Sequence, residues 1–293
     1  MDLQIFADVL EREIRRQSEL VTAIERQTIR KNNDVYMEAL VLHGENSMIA
    51  PTIYLQPFYE LYREGTPVSE LGRMAAGSLK KAFSLSMDGI GSFFDYSSVK
   101  DTIYCRLVSR SRNSAGIRDL CHEEWLDLAV TYYHGMCLDS EEKAQVQIRK
   151  GFLEKWQIDE EQLREDAWRN TMRDYPPVLE PLDQVLSELH ASLPAPDWQP
   201  PLYLLSNRQR TLGAVCIAFP GQADRIAEEL DSDYYVIPSS IHECLILRAD
   251  EQHSPEELNE MVAEVNRTQV SPQEILADHV YCYSMDRREI IKA

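Results

Sequence analysis

Two serines, a histidine and a glutamate stand close together late in the chain, at Ser239-Ser240 and His242-Glu243. A hydroxyl, an imidazole and a carboxylate are the groups that a nucleophilic or proton-transfer site gathers. Neighbouring residues of a strand point to opposite faces, so His242 and Glu243 serve one reacting atom only where the strand bulges. A turn held by side-chain-to-backbone bonds is the structural alternative. These four residues are therefore candidates for contact with a ligand, and a catalytic role stays open.

Two other segments combine amide and basic side chains. Lys31-Asn32-Asn33 lies in a polar stretch, and Asn266-Arg267 follows a predicted helix. Asn266 suits a helix C-cap, while the forked guanidinium of Arg267 suits a carboxylate or a phosphate. Basic turns on an acidic protein are natural contacts for an anion, or they serve solubility alone. The candidate binding residues are Lys31, Asn32, Asn33, Ser239, Ser240, His242, Glu243, Asn266 and Arg267.

Common catalytic and metal motifs are missing from the sequence. His122-Glu123-Glu124 and His134 lack the HExxH spacing that places two imidazoles on one helical face. Gly89-Ile90-Gly91-Ser92 lacks the further glycine and the lysine of a phosphate loop, and no GxSxG sequence occurs. The six cysteines include no CxxC pair. We therefore expect no cofactor and no metal site, and a binding or regulatory protein rather than an enzyme.

Charge is distributed unevenly along the 293 residues. The chain carries 30 basic and 49 acidic side chains, a net charge of −19. Residues 121–200 contribute −10 and residues 201–293 contribute −8. Such a surplus disfavours direct binding to nucleic acid phosphates and suits a basic protein partner. The alternatives are an acidic face that serves solubility, a nucleic-acid mimic, and a hydrolase or transferase built around Ser240, His242 and Glu243.

The longest apolar run, Leu212–Phe219, is much shorter than the roughly 18–20 residues that span a membrane. The first residues mix acids and bases and lack the apolar segment of an export signal. Three cysteines lie in apolar runs, where free thiols pack as small hydrophobes. We expect no membrane contact and a cytoplasmic location; oligomeric state cannot be predicted.

Hydrophobic periodicity in the first 193 residues predicts both helices and strands. Residues 3–17 form an amphipathic helix, and Val21–Ile29 with Val35–His43 forms a hairpin. A short strand, Pro51–Leu55, and a helix over residues 67–83 follow. Trp125–Met136 is either a buried strand or a core helix. Further helices begin at the N-cap Asp159 and at Leu182, the second ending at Leu193.

Residues 202–293 show a clearer pattern. Tyr203–Ser206 and Leu212–Phe219 read as a hairpin whose basic tip contains Arg208 and Arg210. A helix over residues 222–230 precedes three strands, Tyr234–Ile237, Glu243–Arg248 and His279–Ser284. Ser254-Pro255 and Ser271-Pro272 each have a glutamate at the position that completes a capping box, so each predicts a helix start.

These elements predict an α+β fold of antiparallel sheets with helices packed on one face. Four prolines within residues 194–201 oppose regular structure. We therefore predict an N-terminal α+β domain over residues 1–193, a Pro-rich linker over 194–201 and a C-terminal α+β domain over 202–293.

Several phrases of the sequence together resemble domain-of-unknown-function family 5688, a family of uncharacterised bacterial proteins. The phrases are Lys31-Asn32-Asn33, Pro51–Leu55 with Phe58-Tyr59, the segment from Val236 through Glu243, and Val265–Val270. The resemblance extends from about residue 20 to about residue 285. It implies a bacterial cytosolic protein and supplies no activity, cofactor or catalytic residue.

Overall fold

The computed structural model describes residues 1–44, 50–83, 92–137, 143–188, 202–249 and 253–293. The chain divides into two units. Unit 1 comprises residues 1–31, 35–98 and 137–144, and unit 2 comprises residues 32–34, 99–136 and 145–293. Helices and antiparallel sheets occur together, so the fold is α+β, as predicted from the sequence.

Unit 1 packs helices on a three-stranded antiparallel sheet of order β1-β2-β3. Its elements are α1 (Leu3–Gln17), β1 (Val21–Arg30), β2 (Tyr36–Gly44), β3 (Thr52–Tyr54), α2 (Leu55–Arg63) and α3 (Val68–Phe83). The apolar stripe of α1, with Phe6, Leu10 and Ile14, is fully buried and packs with Leu40 and Leu42 of β2. The predicted opening helix and hairpin are confirmed.

A short helix, α4 (Tyr96–Val99), leads from unit 1 into unit 2. The next strands are β4 (Ile103–Ser109), β5 (His122–Trp125), β6 (Leu128–Cys137) and β7 (Lys143–Gln147). They form a sheet of order β4-β6-β5, in which β7 also pairs with β6. The run over residues 125–136, for which strand and helix were both open, is thus mainly a strand.

The rest of unit 2 builds a six-stranded antiparallel sheet of order β13-β12-β10-β11-β9-β8. Its strands are β8 (Pro177–Pro181), β9 (Leu202–Asn207), β10 (Tyr234–Ile237), β11 (Cys244–Arg248), β12 (Tyr281–Ser284) and β13 (Glu289–Lys292). The helices are α5 (Lys150–Trp156), α6 (Glu160–Asp174), α7 (Leu182–Glu188), α8 (Gln222–Leu230) and α9 (Pro255–Thr268). Leu258 and Val262 of α9 pack on Tyr235 and Leu247 of the sheet.

Two predictions for the last ninety residues are wrong. The apolar run over residues 212–219 is a buried 3-10 helix, Gly213–Ala218, rather than a strand. No hairpin therefore presents Arg208 and Arg210, because β9 pairs with β8 and β11 instead. Ser271-Pro272 starts a turn and not a helix, since the Glu274 N–H bonds the Ser271 carbonyl at 2.8 Å.

The two units also differ from the division predicted from the sequence. Residues 145–188 and 202–293 belong to one unit because β8 pairs with β9 over five residue pairs, Pro177 to Pro181 with Asn207 to Tyr203. The predicted linker, 194–201, and the end of the helix predicted from Leu182 to Leu193 lie outside the described residues. The linker therefore stays a prediction.

The capping box of α9 gives a matched comparison with the turn at Ser271. The Ser254 hydroxyl accepts the Glu257 N–H and the Glu257 carboxylate accepts the Ser254 N–H, both at 3.2 Å. We expect Ser254→Ala to lower the free energy of unfolding of unit 2 by about 1 kcal/mol. The same change at Ser271 should cost less than about 0.5 kcal/mol, because a turn and not a helix follows that residue. Chemical denaturation of both variants checks this; equal losses would contradict it.

Among the described residues, no helix has the length and apolarity needed to cross a bilayer.

Candidate functional site

The structure places Ser240, His242 and Glu243 together but in a fixed hydrogen-bonding pattern. The Ser240 hydroxyl donates to the Glu243 carboxylate at 2.7 Å and accepts the His242 N–H at 2.9 Å. The His242 ring accepts the Leu212 N–H at its Nδ1, 3.1 Å away. Ser239 is half-buried beside them. A nucleophilic serine must donate its proton to the imidazole of a histidine. The Ser240 hydroxyl instead donates to the Glu243 carboxylate.

Lys31, Asn32 and Asn33 are separated by the division into units. In unit 1, the Lys31 ammonium lies over the Tyr54 ring, 3.8 Å from its centroid. In unit 2, the Asn32 amide donates to the Gln273 carbonyl at 2.7 Å. The Asn33 amide donates to the Pro272 and Ile275 carbonyls at 2.9 and 2.7 Å. Both asparagine side chains are therefore engaged with backbone of unit 2.

Asn266 lies within the last turn of α9 and not at its C-cap, which is Gln269. Its amide is buried and donates to the Ala277 carbonyl at 2.8 Å and to the Asp278 carboxylate at 3.0 Å. Arg267 is exposed and pairs with Glu264 one turn earlier in the same helix. The C-cap prediction for Asn266 is wrong because its amide instead bonds residues further along the chain.

One segment receives most of these bonds, which we call the 272–278 loop. Asn32, Asn33 and Asn266 donate to its carbonyl and carboxylate oxygens, and the Ile241 N–H donates to the Glu274 carbonyl at 2.9 Å. His242 Nε2 lies 3.9 Å from the Glu274 carboxylate. Residues that looked like ligand contacts thus bind this loop in unit 2.

A pocket of about 320 Å³ lies elsewhere in unit 2, at the size where ligand sites begin. We call it the acidic pocket. It is lined by Cys121, His122, Glu123, Tyr132, Glu160, Glu161 and Arg164. Strands β5 and β6 supply its floor, and the first turn of α6 supplies Glu160 and Glu161, because the N-cap Asp159 starts the helix there. Three carboxylates against one guanidinium give the pocket a negative potential.

Glu123 is the central group of the acidic pocket. It is half-buried on β5, and its Oε1 accepts the Trp168 indole N–H at 2.5 Å and the Tyr132 hydroxyl at 3.3 Å. The other oxygen, Oε2, accepts no bond from the residues that the structure describes. Two donors thus fix the orientation of the carboxylate while one oxygen stays available to a donor from a ligand.

The other groups of the pocket are poor nucleophiles. Burial raises the pKa of the Cys121 thiol to about 11; the Glu160 carboxylate adds to this rise and Lys150 opposes it. Burial also raises the pKa of the Tyr132 hydroxyl, as does the charge of Glu123. At neutral pH both groups therefore keep their protons. The negative charge of the pocket suits a cation better than an anion.

The sequence analysis treated Glu123 only as part of a segment that lacks HExxH spacing, and it placed Glu160 only in a predicted helix. The pocket was missed because its residues come from separate segments around positions 121–123, 132 and 160–164. No local signal marked Glu123, because its place opposite the buried Val130 follows only from the pairing register of β5 and β6. A carboxylate on the buried face of a strand is a candidate for function.

No group of three histidine, cysteine or carboxylate side chains suited to a metal occurs within the described ranges.

Comparison with known proteins identifies one family. The model of a family of unknown function, DUF5688, matches residues 3–285. No curated protein and no solved structure compared with the chain matches it. Because the family model covers nearly the whole sequence, the chain belongs to the family of unknown function DUF5688.

Proposed function

We propose that this protein is a non-enzymatic binding protein whose acidic pocket receives a basic side chain of a protein partner. The observation that carries the proposal is the set of three carboxylates, Glu123, Glu160 and Glu161, around a pocket of about 320 Å³. One lysine or arginine side chain is matched to such a volume and charge. The partner surface around that side chain would also meet the acidic residues of the second half of the chain.

The geometry of Glu123 favours a cationic hydrogen-bond donor over a neutral one. A charge-assisted bond to a carboxylate is about twice as strong as a neutral bond. Arg164, which lies 3.7 Å from Glu161, neutralises part of the pocket and leaves Glu123 and Glu160 in excess. A bound ammonium or guanidinium would therefore restore the balance of charge in the pocket.

The alternative of a hydrolase or transferase has less support. Its candidate residues, Ser240, His242 and Glu243, are hydrogen-bonded to one another and to backbone of unit 2, and the Ser240 hydroxyl bonds the His242 backbone N–H and not the imidazole ring. The proposed location is the cytoplasm, because five cysteines of the described chain have free thiols.

Titration with short peptides tests the proposal. The probes are acetylated and amidated Gly-Gly-Lys-Gly-Gly and Gly-Gly-Arg-Gly-Gly, with norleucine at the centre of the uncharged control. Fluorescence of Trp168, whose indole bonds Glu123, reports binding. We expect the basic peptides to bind and Glu123→Gln to weaken them about tenfold or more, the loss of one charge-assisted bond of about 1.5–3 kcal/mol.

The matched control is Glu165→Gln, since Glu165 is exposed on the same helix and does not line the pocket. It should change the dissociation constant less than about twofold. Equal binding of the norleucine peptide, or equal effects of the two variants, would contradict the proposal. If n-butylamine bound as tightly as the lysine peptide, the ligand of the pocket would be a free amine and not a side chain of a protein partner.

A further inference from the structure

Arg106 is a cation at the centre of the edge strand β4, and no carboxylate of the described residues pairs with it. It lies on β4 directly opposite Thr131 of β6, which in turn pairs with His122 of β5. Directly paired residues of a sheet point to the same face. Arg106 and Thr131 therefore share a face with Tyr104 and Tyr133, the pair two residues along the strands.

The guanidinium of Arg106 has few partners. Its Nε donates to the Thr131 hydroxyl at 3.2 Å. Arg106 forms no ion pair with any residue in the described ranges, and its other four N–H groups donate to none of them. Arginines in protein interiors are normally paired, because an isolated buried charge is costly.

Arg106 is mostly, but not completely, removed from solvent. Part of its surface is accessible to solvent. Burial nevertheless lowers the pKa of its guanidinium to about 10, an effect that the nearby Tyr133 hydroxyl only partly opposes. Most of the side chain is therefore shielded from water, while part of the residue stays open to solvent.

The neighbours of Arg106 are hydroxyl groups. The Tyr104 hydroxyl is already committed, since it donates to the Asp174 carboxylate at 3.0 Å. The Tyr133 ring lies 5.8 Å from the Tyr104 ring, and its hydroxyl donates to no side chain or carbonyl of the described chain. Burial raises the pKa of the Tyr133 hydroxyl, so it keeps its proton as a donor. The guanidinium and phenol donors thus lie on the same face of the sheet, and apart from the Thr131 hydroxyl the described residues offer them no acceptor.

We propose that Arg106, Thr131 and Tyr133 form a binding site for a small oxyanion, a carboxylate or a phosphate group. The guanidinium fork matches two oxygens of either group, and the hydroxyls supply further donors. This site is distinct from the acidic pocket. Arg106, Thr131 and Tyr133 do not line that pocket, and Tyr132, which does, alternates with Thr131 and Tyr133 along β6 and so lies on the opposite face of the sheet.

Thermal unfolding in defined salts tests the site. Sodium phosphate and sodium acetate are compared with sodium chloride at constant ionic strength and pH 7. We expect at least one of the two oxyanions to raise the Tm of the wild-type protein by about 3 °C or more at saturating concentration. The oxyanion that gives the larger shift identifies the ligand group as a phosphate or a carboxylate.

Arg106→Met should abolish this shift, and in chloride alone it should melt at or above the wild-type Tm, because an unpaired cation has been removed. Arg106→Lys keeps the charge and should show a reduced shift, since the fork is lost. Arg118→Met, at an exposed arginine of the same unit, should behave as wild type. Absence of an oxyanion shift in the wild type, or its persistence in Arg106→Met, would overturn the proposal. A Tm of Arg106→Met in chloride below that of the wild type would also contradict the proposal, because it would show that Arg106 stabilises the fold.

Discussion

Replacing Asn33 with alanine is expected to lower the free energy of unfolding of unit 2 by about 4 kcal/mol. The Asn33 amide donates to the Pro272 and Ile275 carbonyls, and its carbonyl oxygen accepts from Asn113 at 3.0 Å. Three side-chain bonds at about 1 kcal/mol each account for most of the loss. The rest comes from the backbone, because Asn33 has a φ of 60°, a conformation that alanine adopts only with strain.

Urea unfolding followed by tryptophan fluorescence measures this change, because all four tryptophans lie in the residue ranges of unit 2. Asn33→Gly removes the same bonds without the backbone strain, and it should lower the free energy of unfolding by about 3 kcal/mol. Asp231→Ala is the control for strain alone, since Asp231 is exposed with a φ of 49°. Asp231→Ala should lower the free energy of unfolding by about 1 kcal/mol. Equal losses in Asn33→Ala and Asp231→Ala would show that the three bonds add nothing.

Gly213→Ala is the second substitution with a large expected effect. It should lower the free energy of unfolding of unit 2 by about 3 kcal/mol. A Cβ at position 213 would lie 2.2 Å from the Ser206 hydroxyl, 2.7 Å from the Asn207 nitrogen and 2.8 Å from the His242 carbonyl. Two of these atoms belong to the backbone and cannot rotate away. Ser206 donates to the His242 carbonyl at 2.7 Å, so displacing its hydroxyl breaks that bond. The added methyl group must push β9 and the residues before β11 apart.

Gly151→Ala is the matched control for Gly213→Ala. Gly151 lies in α5, and nothing is within 4 Å of the position of its missing Cβ. Alanine should be neutral there or stabilise the helix by up to about 1 kcal/mol. The same urea titration compares both variants. Losses of similar size would mean that the close packing at Gly213 is unimportant.

The sequence was informative where local patterns decide the structure. The amphipathic stripe of α1, the hairpin of β1 and β2 and the capping box at Ser254 were all predicted, because each depends on neighbours a few residues apart. Ser271-Pro272 has the same local pattern as Ser254-Pro255 and forms a turn. Its following carbonyl groups bond Asn32 and Asn33, about 240 residues away, and these bonds replace those of a helix.

The candidate site depended on distant contacts and was therefore harder to predict. Asn32, Asn33 and Asn266 were predicted as candidate binding residues, but their partners lie in the 272–278 loop, which no local pattern indicates. The acidic pocket requires knowledge that α6 lies beside β5, which brings Trp168 to Glu123. Pairing register is likewise needed before Arg106 is seen opposite Thr131. Tertiary contacts, rather than residue types, define all three arrangements.

The bonds between residues 32–33 and the 272–278 loop also affect the order of folding during synthesis. Their partners are separated by 239 to 242 positions in the chain. A ribosome adds about 5–20 residues each second, so Asn33 remains without its acceptors for on the order of 10 s or longer. In that interval its amide is hydrated, and most of unit 1 has already been synthesised. Unit 2 therefore completes its hydrogen bonding only when the 272–278 loop has emerged, which makes this loop a late step in folding.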